Sequence, residues 1–423
     1  MEEASEGRKK MNNAIIFLYI DPGTGSMLFS LFVGLATAAI FAFRSLWLKI
    51  KFVLSAGKAK KEKEIGSVPF AIFSDHKRYW NVFGPICDEF EKNKTDLTYF
   101  AVSQDDPVFS QNYNYIHPEY LGSGNKPYLK MNMLHADIVL STTPGLDVYQ
   151  WKRSRYVKWY IHIPHTVRSL YCYRMFGIDH YDAVFANSEA QAETGKEIER
   201  LRPTAPKKDY TVVGSPIMDG MWLKKENTPP LPKNQKKVVL IAPSWGKSGI
   251  LTKFGESFLK KIQETEYEII VRPHPQSTVS EKDLLERLEK QFPAIKWNYD
   301  NDNFDVLNKA DILISDFSGT IFDYVLIFKK PIIYADVEID KAPYDSAWLE
   351  DEMWELKTLP RIGVKLEEKD FGEIGKIIKQ TLENKDLQEN IEAVRDEYWE
   401  NIGHSAETCY ESMIKKENEL SKE

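Results

Sequence analysis

Two short segments put chemically active side chains at the ends of apolar runs. In "EIIVRPHPQS" (268–277), four residues suited to a buried strand lead straight into Arg272 and His274. Pro273 and Pro275 fix φ around the histidine and keep a helix from forming there. One permanent cation and one imidazole titrating near neutrality then stand on a stiff, extended piece of chain. In "ISDFSGTIFDY" (314–324) a strand ends at Ser315, Asp316 to Ser318 turn the chain, and a helix begins near Gly319. Free N–H groups at a helix start attract a phosphate, and the helix dipole adds to the attraction. Ser318 and Thr320 add hydroxyls, and Gly319 lets a ligand approach the backbone. Each segment also has a plainer reading: Arg272 as a surface ion pair, His274 as a satisfied turn histidine, Asp316 or Ser318 as a helix cap.

A third segment, "WYIHIPHTVRSLY" (159–171), ends an apolar strand with His162 and His165. Alternation keeps His162 inside the strand, where a structural role suits it. His165 follows Pro164 at the strand's end, where a cleft would lie, and is the functional candidate. His180 precedes a strand and reads as structural. The acidic "NYDNDNFD" (298–305) reads as a solvated loop with Asp302 or Asn303 capping a helix, and no carboxylate set marks a metal site. Lys247 sits in a flexible "GKSG" loop.

The elements that must position these residues follow an alternating pattern. Strand runs at 68–73, 97–103, 136–142, 156–163 and 181–188 come first. The Pro-rich "NTPPLPKNQ" (227–235), together with 212–220, marks a boundary. The pattern restarts at 236–245 and continues through strands in "YEIIVR", "AIKWN", "DILIS" and "PIIYAD", with helices between them and a helical end from about Asp370. Strands alternating with helices imply α/β architecture and parallel sheets covered on both faces. In such sheets ligands bind beyond the carboxyl ends of the strands.

The chain has 423 residues, enough for two domains, with 43% hydrophobic and 28% charged residues. A net charge of -7 without a long basic block argues against nucleic-acid binding. Three scattered cysteines form no disulfide or metal pattern. Residues 27–48 are apolar over a length of about 20 residues, enough to cross a bilayer. Lysines and arginines on their C-terminal side place the large body in the cytoplasm, at the inner membrane. The expected layout is an anchor over 1–54, a charged linker over 55–67, a first domain over 68–215 and a second over 216–423.

"RPHP", "SDFSGTIFDY" followed by "KKPIIYAD", and "GSPIMD" before "APSW" occur in the order found in the CDP-glycerol glycerophosphotransferase family, the teichoic-acid primases and polymerases. "HTVRSLY" followed by "YDAVFANSEAQAE" resembles that family's first-domain histidine segment. The resemblance implies a GT-B fold of two Rossmann-like domains facing across a cleft, with no cofactor and no obligatory metal. It implies a CDP-glycerol or similar CDP-polyol donor and a lipid-linked or glycan acceptor. His165 and His274 would be catalytic, with His165 the base from the opposite domain. Arg272, Asp316, Ser318, Gly319 and Thr320 would bind the donor. The chain departs from the pattern at His165-Thr166-Val167-Arg168, at Ser318-Gly319 and at Ile217, which bears on the acceptor and on the donor head group and leaves the phosphate site intact. Rival functions are a nucleotide-sugar glycosyltransferase, a nucleotide-sugar 2-epimerase and a membrane-tethered binding protein.

Overall fold

The computed structural model describes residues 67–230, 236–300, 302–336 and 339–422. The expected anchor at 27–48 and its linker, apart from residue 67, lie outside them. Among the described residues thirteen strands form two sheets, and every strand pairing is parallel. The first holds β1 (Val68–Ser74), β2 (Leu97–Ala101), β3 (Ile116–Tyr120), β4 (Ala136–Ser141), β5 (Val157–His162), β6 (Ala183–Ala186) and β7 (Asp209–Val212) in the order β3-β2-β1-β4-β5-β6-β7. The second holds β8 (Val238–Ile241), β9 (Glu268–Val271), β10 (Lys296–Trp297), β11 (Ile312–Ser315), β12 (Ile332–Ala335) and β13 (Gly363–Leu366) in the order β10-β9-β8-β11-β12-β13.

Why these runs are strands is visible in where each side chain goes. In β8, Val238 and Leu240 join one apolar cluster, and Val239 and Ile241 join another on the opposite face. In β1, Phe70 and Ile72 face one cluster while Ala71 and Phe73 face the other. A strand buried on both faces needs apolar residues at every position, and such continuous runs were readable. The edge strands have a different composition. β3, "IHPEY", is exposed beyond Ile116 and carries Pro118, which an edge tolerates. β7, β10 and β13 are edges too, and of the four the sequence pattern indicated β10, in "AIKWN".

Each sheet reverses its strand order once, between β1 and β4 and between β8 and β11. The crevice at such a reversal is where an open parallel sheet offers a binding site. Loops after β1, β4 and β5 in the first sheet, and after β8, β9 and β11 in the second, converge there.

The two halves are tied together. Glu355, buried on the helix Trp354–Ile362, accepts from the Ser169 backbone N–H at 2.7 Å and its hydroxyl at 2.6 Å. Arg202 makes a two-pronged bond to Asp179 at 2.6 and 2.7 Å and reaches Asp345 at 3.4 Å. The last helix, Ser405–Leu420, returns to the first half and puts Cys409 and Met413 in the core with Val82 and Phe83. It packs there because its apolar side completes that core, so the residues after 216 do not all stay with the second sheet as expected. Asp219 caps it, accepting from Ser405 N–H at 2.8 Å.

Candidate active site

A cavity of about 360 Å³ opens at the reversal of the second sheet. Its floor is the turn from β11 into the helix Thr320–Phe328. The N–H groups of Ser318 and Gly319 have no hydrogen-bond partner among the described residues. Ser318 and Gly319 line the cavity, with His274 from the loop after β9 and Trp245 from the loop after β8. His274 Nδ1 accepts from Gln276 N–H at 3.1 Å. That leaves Nε2–H as a donor on the neutral ring. Burial, and then the Arg78 charge, push the His274 pKa down, which favours that neutral form. Trp245 is exposed, its ring 6.4 Å from the His274 ring.

The opposite wall comes from the first half. Arg168 lines the cavity, and its buried Nε–H has no partner among the described residues. Burial works against the Arg168 charge, but Cys172, Glu355 and Tyr344 together raise its pKa. It lies close to the helix start: a β-carbon built on Gly319 would be 3.4 Å from Arg168 Cδ. Arg168 entered the sequence reading only within a departure from the family pattern, although it sits three residues after His165 in the same strand-end loop.

His165 stands just behind this wall and is not among the residues lining the cavity. Its Nδ1 lies 3.0 Å from Thr142 Oγ1, at the end of β4, and its ring packs at 5.0 Å against Tyr79, which follows β1. Burial, then the charges of Arg78 and Arg168, push its pKa down to about 4. His162 is fully buried within β5, and its Nε2 lies 2.6 Å from the Tyr173 hydroxyl. Arg78 is exposed; its guanidinium bonds the Tyr79 hydroxyl at 3.0 Å, and its charge acts on both His165 and His274. The polar run "SDHKRY" directly after the first strand was the available signal for it.

Three of the expected donor-binding residues sit elsewhere. The Arg272 guanidinium bonds Asn298 Oδ1 and, at 2.6 Å, the Asp300 carbonyl, so it braces the segment after β10 outside the cavity lining. Asp316 is buried, and its carboxylate accepts from the N–H groups of Ser244 at 3.0 Å, Ile250 at 3.0 Å and Phe317 at 2.7 Å. A carboxylate saturated by backbone N–H groups ties the β8 and β11 loops together, a positioning role where a substrate contact was expected. Thr320 is the first residue of the helix, its N–H 3.4 Å from Ser318 Oγ, and is not in the lining. Lys247, read as a bystander, does line the cavity. Asp302 caps as expected, accepting from Phe304 N–H at 2.9 Å.

Residues 223–401 match the family model described as CDP-Glycerol:Poly(glycerophosphate) glycerophosphotransferase, so the resemblance read from the motifs holds. No curated protein matches the chain. Among solved structures the chain is similar to the wall teichoic acid polymerase TagF, at 16% identity and a TM-score of 0.55, over 91% of this chain and 99% of that one. It is also similar to a putative UDP-N-acetylglucosamine 2-epimerase from Listeria monocytogenes, at 12% identity and TM-score 0.52, over 81% and 94% of the two chains. A third is the UDP-GlcNAc 2-epimerase from Neisseria meningitidis bound to UDP-GlcNAc, at 14% identity and TM-score 0.51, over 82% and 99%. At these identities the likeness shows the fold, an α/β architecture of parallel sheets similar to that of the GT-B enzyme TagF.

Proposed function

We propose that this chain, which carries the glycerophosphotransferase model over residues 223–401, transfers glycerol phosphate or a related polyol phosphate from a CDP-linked donor. The acceptor is a hydroxyl of a lipid-linked or glycan molecule, CMP is released, and the setting is bacterial cell-envelope polymer synthesis. Residues 27–48 anchor the protein, with its body on the cytoplasmic side.

The observation that carries this reading is the lining of one cavity. Two unpartnered N–H groups at Ser318 and Gly319, a neutral His274 and the Arg168 guanidinium converge on the same space. That set matches a pyrophosphate: donors at a helix start, a hydrogen-bonding ring and a fixed positive charge. Trp245 offers a flat face to a nucleobase.

The reaction in this reading is a phosphoryl transfer. The acceptor oxygen attacks the phosphorus that bears glycerol, the bond from that phosphorus to the CMP oxygen breaks, and CMP leaves with the electron pair. The hydroxyl proton goes to His165 Nε2, in the tautomer whose Nδ1–H donates to Thr142. Burial, and after it the charges of Arg78 and Arg168, hold His165 neutral before the donor binds. The donor's pyrophosphate offsets those charges, so the ring becomes a stronger base when it is needed. Phosphoryl transfer depends mostly on positioning and charge stabilisation, and the helix start with Arg168 supplies both.

The test is incubation of the purified protein with a panel of CDP- and UDP-linked donors and an acceptor lipid extract. CMP release from a CDP-polyol supports the reading. UDP release from a nucleotide sugar would replace it with the glycosyltransferase alternative, which the fold also accommodates.

A further inference from the structure

A second cavity, of about 400 Å³, lies between the helix Trp80–Lys92 of the first half and the helices Pro216–Glu226 and Thr320–Phe328 of the second. Nothing in the donor site uses it. One wall is aromatic. The Trp80 indole lies back over its own helix at Gly84, where a β-carbon would come within 2.9 Å of Trp80 Cε2. The bare Cα at 84 thus lets the ring take its place in the cavity wall. Tyr113 and Phe304 add to that surface.

The other wall is polar and acidic. Asp323 faces the cavity with no hydrogen-bond or ion partner among the described residues, and burial alone raises its carboxyl to about 7. Asp88 accepts from the Tyr113 hydroxyl at 2.6 Å. Lys224, the cation in the lining, is held by Asp302 at 2.8 Å. A phosphate or carboxylate entering this space would meet three acids and one cation that is already paired. An uncharged molecule with many hydroxyls would meet an aromatic face and side-chain carboxyl and amide groups.

The position matters as much as the lining. Trp80 follows Tyr79, whose ring packs against His165. Asp323 sits one turn into the helix whose start floors the donor cavity. The second cavity is therefore one residue along the chain from the Tyr79 that packs on His165, and one helical turn from the floor of the donor cavity.

We infer that this second cavity binds the uncharged, hydroxyl-rich part of the acceptor, a saccharide unit, with Trp80 as its stacking face and Asp323 as a hydrogen-bonding partner. The inference rests on the transferase reading for the word acceptor; the binding of a neutral saccharide does not.

Gly220 supplies a clean test. It lies on the helix Pro216–Glu226 and lines the cavity, and a β-carbon there meets nothing within 4 Å. Gly220→Leu fills the space, and leucine is the better helix former, so the fold is kept. The probe is chitobiose, a neutral disaccharide, followed by saturation-transfer NMR on the full chain in detergent, with glycerol 3-phosphate as the anionic control. Donor affinity for CDP-glycerol is measured by calorimetry on the same samples. The expected result is contact with chitobiose and little with glycerol 3-phosphate at this cavity. Trp80→Ala and Gly220→Leu should each weaken chitobiose by roughly tenfold or more while donor affinity holds. Equal chitobiose contact in wild type and both variants overturns the inference, as does preference for the anionic probe. Failure of wild type to bind any CDP-linked donor counts instead against the transferase reading, and the chitobiose comparison still stands.

Discussion

Gly319 and Thr166 meet across the two halves of the molecule: a β-carbon on Gly319 would stand 3.2 Å from Thr166 Oγ1. The helix start that floors the donor cavity is thus seated directly against the loop that carries His165 and Arg168. Gly319 has φ -57°, an ordinary helical value, so its lack of a side chain serves this approach and not an unusual backbone. Gly319→Ala should fold with an unchanged melting temperature, because alanine suits a helix start sterically. It should lower turnover by roughly tenfold by pushing the loop back a few tenths of an ångström. Gly319→Val should lose more. Single-turnover CMP release beside a thermal melt checks both; full activity in the valine variant would mean that the two loops do not act together.

The cation that matters for the donor should be Arg168. Its Nε–H is buried, unpartnered and at the cavity, whereas Arg272 is bound to Asn298 and Asp300. Arg168→Ala should weaken CDP-donor binding by about 1.5–3 kcal/mol, the cost of a charge-assisted hydrogen bond. Arg168→Lys should recover only part of this, because a point charge does not reproduce the planar guanidinium. Arg272→Ala should instead lower stability with a smaller effect on donor affinity. Calorimetric donor titrations of the three variants, with urea melts, separate the roles. A larger donor loss in Arg272→Ala than in Arg168→Ala would reverse the assignment.

What the sequence made legible follows from what burial demands. Central strands must be apolar at every position, and β1, β8 and β11 read directly as such runs. Edge strands need not be apolar throughout, so β3, β7 and β13 did not stand out, although the edge strand β10 was legible in "AIKWN". The loop-end motifs were legible for a similar reason, since proline and glycine mark where strands stop. What could not be read was the direction of a side chain once its loop closed. Arg272 has the type and position for a phosphate contact, but the Asn298 side chain and Asp300 carbonyl are nearer partners. Asp316 likewise faces three backbone N–H groups that only the folded β8 loop brings to it. The donor-site role of Arg168 could not be read because the rest of its cavity comes from the other half of the chain, with Ser318 some 150 residues away in sequence.

His162 should make stability depend on pH. Burial, then the neighbouring His165, push its pKa down to about 3 in the folded protein. In the unfolded chain an ordinary histidine binds its proton near 6.5. Between those values the unfolded state holds the extra proton, so stability falls as pH drops from about 6.5 toward 3. Replacing His162 by Phe removes this contribution and should flatten the acid side of the stability curve, even though the Tyr173 hydroxyl loses its partner. Melting temperatures of both proteins from pH 4 to 8 test it. Parallel curves would show that His162 takes up its proton without unfolding.

His165 should reveal itself in the pH dependence of catalysis more than in binding. In the free protein its pKa is pushed down to about 4 by burial, Arg78 and Arg168. A bound pyrophosphate offsets both arginine charges, and removing like charge from beside an imidazole raises its pKa. The acidic limb of kcat/KM reports the free enzyme and that of kcat the donor complex, so the limb in kcat should lie at higher pH. Arg78→Ala should raise the limb in kcat/KM, since a cation has gone, while leaving His274 and the helix start in place. His165→Ala should keep donor affinity nearly intact and cut single-turnover CMP release by roughly 10²–10⁴. His274→Ala should weaken donor binding and turnover together, because Nε2–H is a ground-state contact. If the limb stays put in Arg78→Ala and His165→Ala keeps full turnover, the proton goes elsewhere and another group is the base.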